Sequence, residues 1–228
     1  MMKNLNVKPV IIYGNGHMAK MLYHFIKVQH DIACFTVDEQ CINSDDVELL
    51  PLVSFSEIQN QYPPSNYDML IVVGFGEMNS LRKQKYLEAL HKGYKLINYI
   101  HPSVVLHDNL ILGHNNIILD HASIHPYTTI GNGNFISSNS NIGHGCTIGD
   151  FCWINAGVCI GGESNLGSKC FYGINATIGQ GIQIADECFI GANTLISNNT
   201  TEKEVYLSEN GTKFRLDSDL FLQFSSAV

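Results

Sequence analysis

Three groups of residues in this 228-residue sequence have the types and spacing that chemistry needs. The first is Gly14-Asn15-Gly16-His17-Met18-Ala19, a G-x-G-x-x-A run. It lies between an apolar segment, Val10 to Tyr13, and a helically spaced one, Met18 to Val28. Bare glycines at a strand-to-helix turn let phosphate oxygens approach backbone N–H groups at a helix N-terminus. Asp38 closes the next apolar run, Ile32 to Val37, where an acidic side chain can bind ribose hydroxyls. The second group is centred on His144, in Ile142-Gly143-His144-Gly145-Cys146. Imidazole changes protonation near neutral pH, which suits it to moving a proton. The third is Gly161-Gly162, whose backbone can come close to a ligand. Each has a plainer reading beside it: a turn without ligand, a surface histidine at a corner, and a tight turn between strands. The seven cysteines include no C-x-x-C pair or other zinc spacing, and no metal is expected; four of them, Cys146, Cys152, Cys170 and Cys188, differ by multiples of six and read as small buried thiols in a reducing compartment.

The elements that position these residues fall into two halves. Before Tyr99 strand and helix alternate. Val10 to Tyr13, Ile32 to Val37, Met69 to Val73 and Lys95 to Tyr99 read as strands. Met18 to Val28 and Asn79 to Lys92 read as helices, and the segment around Pro51 and Pro63-Pro64 is looser. This predicts a small parallel α/β domain over residues 1–99. It is too short for the second mononucleotide unit of a full dinucleotide fold, so a sugar nucleotide fits better than NAD.

From Ile100 onward every sixth residue is apolar, from Ile100 and Leu106 through Ile142, Ile148 and Ile154 to Ile190 and Ile196, with Tyr172 alone departing from the aliphatic rule. The residue two before is usually small, as at Ala122, Ser140, Cys146, Cys152, Ala176 and Cys188. An α-helix would scatter a six-residue period around its axis. A coiled parallel β-solenoid uses it: three hexapeptides make one triangular coil, apolar rungs stack eighteen residues apart, and the small residues fill a narrow interior. The positions two and three after each rung, including His144, fall at corners. The expected architecture is therefore α/β + β, with a coiled parallel β-solenoid over residues 100–200 and a C-terminal tail over 201–228.

Composition narrows the partners. Charged residues make up 15%, against roughly 25% in an ordinary domain. The net charge of −8 disfavours a nucleic-acid-coating surface. No stretch has the length of a bilayer span, and the N-terminus lacks signal-peptide features, so a soluble cytoplasmic protein is expected. Of the 13 Lys and Arg residues, nine precede Ile100, Lys169 lies in the solenoid, and Lys203, Lys213 and Arg215 lie in the tail. Anionic groups of a ligand on the solenoid would have to meet Lys169, the tail or backbone amides.

The runs VIIYGNGHMAK, YDMLIVVGFGE, YIHPSVV, NSNIGHGCTIGDFCWINAG and CFYGINATIG together resemble the NeuD/PglD-type sugar acyltransferases over about residues 9 to 200. That resemblance implies transfer of an acetyl group from acetyl-CoA, as co-substrate, to the amino group of a nucleotide-linked amino sugar for surface glycan or O-antigen synthesis. It implies a Rossmann-like fold for residues 1–99, a left-handed parallel β-helix for residues 100–200, and a homotrimer with active sites between neighbouring β-helices. His144 matches the general base, and Gly162 the amide facing the acetyl carbonyl. Ile174, Gly191 and Ala192 match the pantetheine path, and Asn15, Gly16, His17, Asp38 and Gly74 match contacts to the nucleotide. Two positions depart from the pattern. Gly145 stands where relatives commonly carry Glu or Asp after the base. Trp153 stands where some have a second histidine contacting acetyl-CoA, as either a wall of the acyl pocket or a packing residue at a subunit contact. The tail lacks the Gly-x-Pro-Ala turn common in relatives. Three alternatives stay open: an O-acetyltransferase of a sugar, sialic acid or serine; a γ-class carbonic anhydrase, with His121, His125 and His144 as the histidines to weigh; and a non-enzymatic nucleotide-sugar-binding scaffold.

Overall fold

The computed structural model describes residues 8–42, 44 and 46–225. In the N-terminal half, β1 (Val10–Tyr13), α1 (His17–Ile26), β2 (Ile32–Val37), β3 (Asp46–Val47), β4 (Leu50–Ser54), α2 (Ile58–Gln61), β5 (Asp68–Ile71) and α3 (Ser80–His91) build one five-stranded sheet in the order β3-β4-β2-β1-β5. All pairings are parallel except β3 with β4. Alternation along β1 sends Val10 and Ile12 to the face covered by α1, and Ile11 and Tyr13 to the face covered by α2 and α3.

Two expectations change here. The segment around Pro51 is the strand β4, paired through Asp46↔Pro51 with the short edge strand β3, a place where proline is tolerated. The expected strand from Lys95 to Tyr99 is reduced to a bridge from Leu96 to Met69, because Tyr99 already belongs to the solenoid.

The second half is a parallel β-helix of two-residue strands on three faces. One face has seven strands, from Tyr99–Ile100 through Phe135–Ile136, Trp153–Ile154 and Phe171–Tyr172 to Val205–Tyr206. The second has six, from Val105–Leu106 through Asn141–Ile142 to Leu195–Ile196, and the third five, from Ile111–Leu112 through Thr147–Ile148 to Gln183–Ile184. Strand registers advance by eighteen, as in Ile130↔Ile148↔Leu166↔Ile184. The rungs and the small residues two before them form one buried core, and each buried isoleucine contributes about 1.5–3 kcal/mol relative to exposure. Asn116 and Asn134 share the small-residue phase; each Oδ1 accepts from the backbone N–H one coil on, at Asn134 and Cys152.

The third residue after each rung has a positive φ at every corner from Asn109 to Asn193, including Tyr127 (62°), Gly145 (66°) and Glu163 (61°). The last strand, Val205–Tyr206, pairs with Phe189–Ile190 sixteen residues earlier, so the coil continues beyond residue 200 after the hexapeptide period has lapsed. An eight-residue helix α4 (Ser218–Ser225) follows in the tail. Among the described residues no helix is long and apolar enough to cross a membrane.

The halves meet on the seven-stranded face. Its outward residues Ile117, Phe135, Trp153 and Phe171 are buried in the same cluster as α1 and β1. Phe135 stacks on Trp153 at 4.0 Å, and Phe75 packs against Trp153 and Phe171 at 5.4 and 4.7 Å. Arg82, on α3, is 2% exposed and lies over Trp153. It donates through Nε to Gly133 O (2.9 Å) and through Nη2 to Phe151 O (2.8 Å) and Cys152 O (3.1 Å). Burial lowers its pKa to about 10, so it remains a cation at neutral pH.

Candidate active site

The glycine turn, β2 and the end of β5 surround a cleft of ≈ 340 Å³, with Asn15, Gly16, His17, Asp38 and Gly74 all on its wall. Gly14 must be glycine: its φ is +130°, and a Cβ there would stand 2.4 Å from Val72 O. Nothing lies within 4 Å of a Cβ built on Gly16, the N-cap of α1, and no side chain caps the helix. The first-turn N–H groups of this ten-residue helix therefore face the cleft as anion-binding donors. Asn15 closes one edge, Nδ2 donating to Cys41 O at 2.9 Å.

Asp38 is held rather than free. Lys85, buried on α3, donates to its carboxylate at 2.8–2.9 Å and to Glu88 at 2.8 Å. Burial lowers the Lys85 pKa, but the bonds to Asp38 and Glu88 outweigh it and the net shift is upward. Burial, and then the Asp38 charge, push the phenol of Tyr13 up. Lys85 was invisible as a site residue in the sequence; its signal is a lysine on the helix face that also carries Arg82, Tyr86 and Ala89, all buried.

His144 stands exposed at the corner between the six- and five-stranded faces. Its ring lies directly over Gly162, one coil on: a Cβ built there would be 2.6 Å from Cε1, 2.8 Å from Nδ1 and 3.0 Å from Nε2. The bare backbone at 162 is thus the floor on which the imidazole rests. The backbone N–H of Glu163 donates to His144 O at 2.7 Å, fixing the two corners in register.

The other matched positions lie elsewhere. Ile174 and Ala192 stack eighteen apart at the corner between the seven- and six-stranded faces, with Gly191 beside Ala192. Leu207 to Gly211 cross this corner, enclosing a groove of ≈ 470 Å³, and Ser208 Oγ donates to Ala192 O at 2.6 Å. Lys169, read as a phosphate contact, sits at the third corner, ion-paired with Glu187; Lys203 approaches the same carboxylate at 3.9 Å. In the tail, Lys213 and Arg215 are exposed and carry no ion pair among the described residues. Trp153 is 6% exposed and lies in the seam between the chain's own halves. The outward aromatic ladder Phe135, Trp153, Phe171, Phe189, at eighteen-residue spacing, was the sequence signal for that seam. Among the described residues no three His, Cys, Asp or Glu side chains group as metal ligands.

With an α/β half docked on a left-handed parallel β-helix, the chain has the fold of NeuD/PglD-type sugar acyltransferases. The acetyltransferase domain of PglB from Neisseria gonorrhoeae FA1090 matches with a TM-score of 0.78 at 18% identity, over 87% of this chain and 96% of that one. That domain has also been solved with acetyl coenzyme A. PerB from Caulobacter crescentus, in complex with CoA and GDP-perosamine, matches with a TM-score of 0.78 at 21% identity, over 89% and 95%. WeeI from Acinetobacter baumannii AYE gives 0.63 at 13%, over 86% and 95%. No protein-family model matches the sequence, and no curated protein does.

Proposed function

We propose that the protein is an acetyl-CoA-dependent N-acetyltransferase acting on the amino group of a nucleotide-linked amino sugar, in the cytoplasmic stage of surface glycan or O-antigen synthesis. The observation that carries this reading is the exposed imidazole of His144 resting on the bare backbone of Gly162, in a chain that also holds a phosphate-type cleft at the N-terminus of α1. The complexes of similarly folded proteins with acetyl coenzyme A and with CoA and GDP-perosamine support the choice of both substrates.

In this reading α1 and Asn15, His17 and Gly74 hold the nucleotide, and Asp38, fixed by Lys85, accepts from the ribose. The sugar amine attacks the thioester carbonyl; a C–N bond forms, the C–S bond breaks, and CoA leaves as its thiol. His144 takes the proton that the amine nitrogen loses. Backbone at Gly162 faces the carbonyl oxygen as negative charge develops there.

His144 stands at a corner that does not border the face carrying the chain's own α/β half, and Ile174, Gly191 and Ala192 occupy a different corner. A complete site then needs a second copy laid along the six-stranded face, in keeping with a homotrimer. Thiol release from acetyl-CoA with UDP-, dTDP- and GDP-linked amino sugars tests the reading. One of them should be turned over, and His144→Ala should lower that rate by about 10²–10⁴-fold while the assembly keeps its mass. Undiminished turnover in His144→Ala would remove the histidine from the chemistry.

A further inference from the structure

We propose that Glu163 is the positioning residue of His144, supplying from the next coil the carboxylate that its own corner lacks. A histidine that gains a proton is served by a nearby carboxylate, which orients the ring and stabilises the imidazolium. Three stacked corners surround the ring: His125-Pro126-Tyr127-Thr128 above, Gly143-His144-Gly145-Cys146, and Gly161-Gly162-Glu163-Ser164 below. Their titratable groups are His125, Tyr127, His144, Cys146 and Glu163, and Glu163 is the sole carboxylate. The Cys146 thiol is turned to the backbone carbonyls of His144 and Gly161.

Glu163 lies eighteen residues after Gly145 and directly beneath it. Its Cγ is 3.7 Å from the point where a Cβ on residue 145 would stand, an ordinary van der Waals distance, so this side chain lies against the position next to His144. The ring rests over Gly162, the immediate neighbour of Glu163, and the Glu163 N–H to His144 O bond locks the spacing of the two corners. The carboxylate is exposed and has no hydrogen bond or ion pair among the described residues. It is not bonded to the ring in this conformation, and the proposal requires a rotation about χ2 and χ3 that brings the two together.

The inference rests on His144 being the base, and the two ideas fail differently. NMR titration of the His144 imidazole, assigned by its loss in His144→Ala, reads Glu163 without any turnover. Glu163→Gln is expected to move the titration midpoint down by about 0.5–1 pH unit, a shift that shrinks at high salt. If the chain transfers acetyl groups, the acid limb of kcat/KM moves down by the same amount. Then kcat falls about tenfold while KM for acetyl-CoA holds. Adding Gly145→Asp to Glu163→Gln restores both, since Tyr127 and Glu163 show that side chains are accommodated at this positive-φ position. A Glu163→Gln protein with unchanged titration and unchanged pH profile overturns the proposal. A shifted titration in a protein that turns over no nucleotide sugar leaves Glu163 coupled to His144 and removes the transferase reading.

Discussion

At the scale of the residue, the space above Gly162 is what gives His144 a defined place. Gly162 is not in a left-handed conformation, so alanine is compatible with its backbone, and the atoms a methyl group would meet belong to the mobile tip of the His144 side chain. Gly162→Ala should therefore keep the melting temperature within about 2 °C while displacing the ring, with transfer falling about tenfold or more. Calorimetry beside the thiol-release assay checks this; an unchanged rate would mean that the position of the ring over Gly162 does not matter. The corner position of His144 was legible in the sequence through its phase after the rung at Ile142, and its candidacy as base through the family resemblance. Its floor was legible only as a glycine pair, because nothing in a linear sequence says which way a corner side chain leans. The same holds for Asp38: the end of a strand located it, but its ion pair with Lys85 spans 47 residues.

At the scale of the element, the seam between α3 and the coil is held by one buried cation and a stack of rings. Arg82 satisfies carbonyls of Gly133 and Phe151 that lie at corners of successive coils. Its aromatic neighbours supply the apolar area. Arg82→Met leaves those carbonyls buried without a donor and should cost about 3 kcal/mol or more. The expected signature is a lower urea midpoint, with the α/β half melting ahead of the β-helix, whose core is built from its own rungs. A midpoint equal to that of the native chain would assign the seam to the rings and to the hydrogen bonds of Asn79 and Asn115. The sequence reading left β4 as a loose segment because Pro51 argues against a central strand; pairing with the short β3 is what admits it. It extended a strand through Lys95 to Tyr99 because apolar alternation does not reveal to which sheet a residue belongs.

At the scale of the whole molecule, the matched positions are distributed over three corners and a separate cleft. In the proposed function a second copy brings His144 and Gly162 against Ile174, Gly191 and Ala192 across the six-stranded face. Light scattering should give three times the 25.3 kDa of the chain. Complementation is the sharper measurement. Gly16→Asp places a favourable N-cap on α1 that repels phosphates, and His144→Ala removes the base. Each homogeneous protein should be inactive, and co-expression should recover a fraction of native transfer if cleft and base of one site come from different chains. No recovery from a mixed assembly would place both within one chain. With Lys169 paired to Glu187 and Lys203 to Glu202, Lys213 and Arg215 are the cations of the solenoid and tail without an ion pair among the described residues.

The sequence by itself determined the β-helix: rung, filler and corner. In a solenoid each residue's surroundings are set by neighbours eighteen positions away, so the tertiary contacts are written as a local period. It also determined the glycine turn, whose strain is local to Gly14. Tertiary structure alone decided that Trp153 seals a seam, that Lys169 is paired away from the histidine corner, that Lys85 holds Asp38, and that Glu163 stands beneath Gly145 with its carboxylate free. These depend on how two halves dock and on the direction in which corner side chains project. No periodicity encodes either, because each is settled once, by packing between residues far apart in the chain.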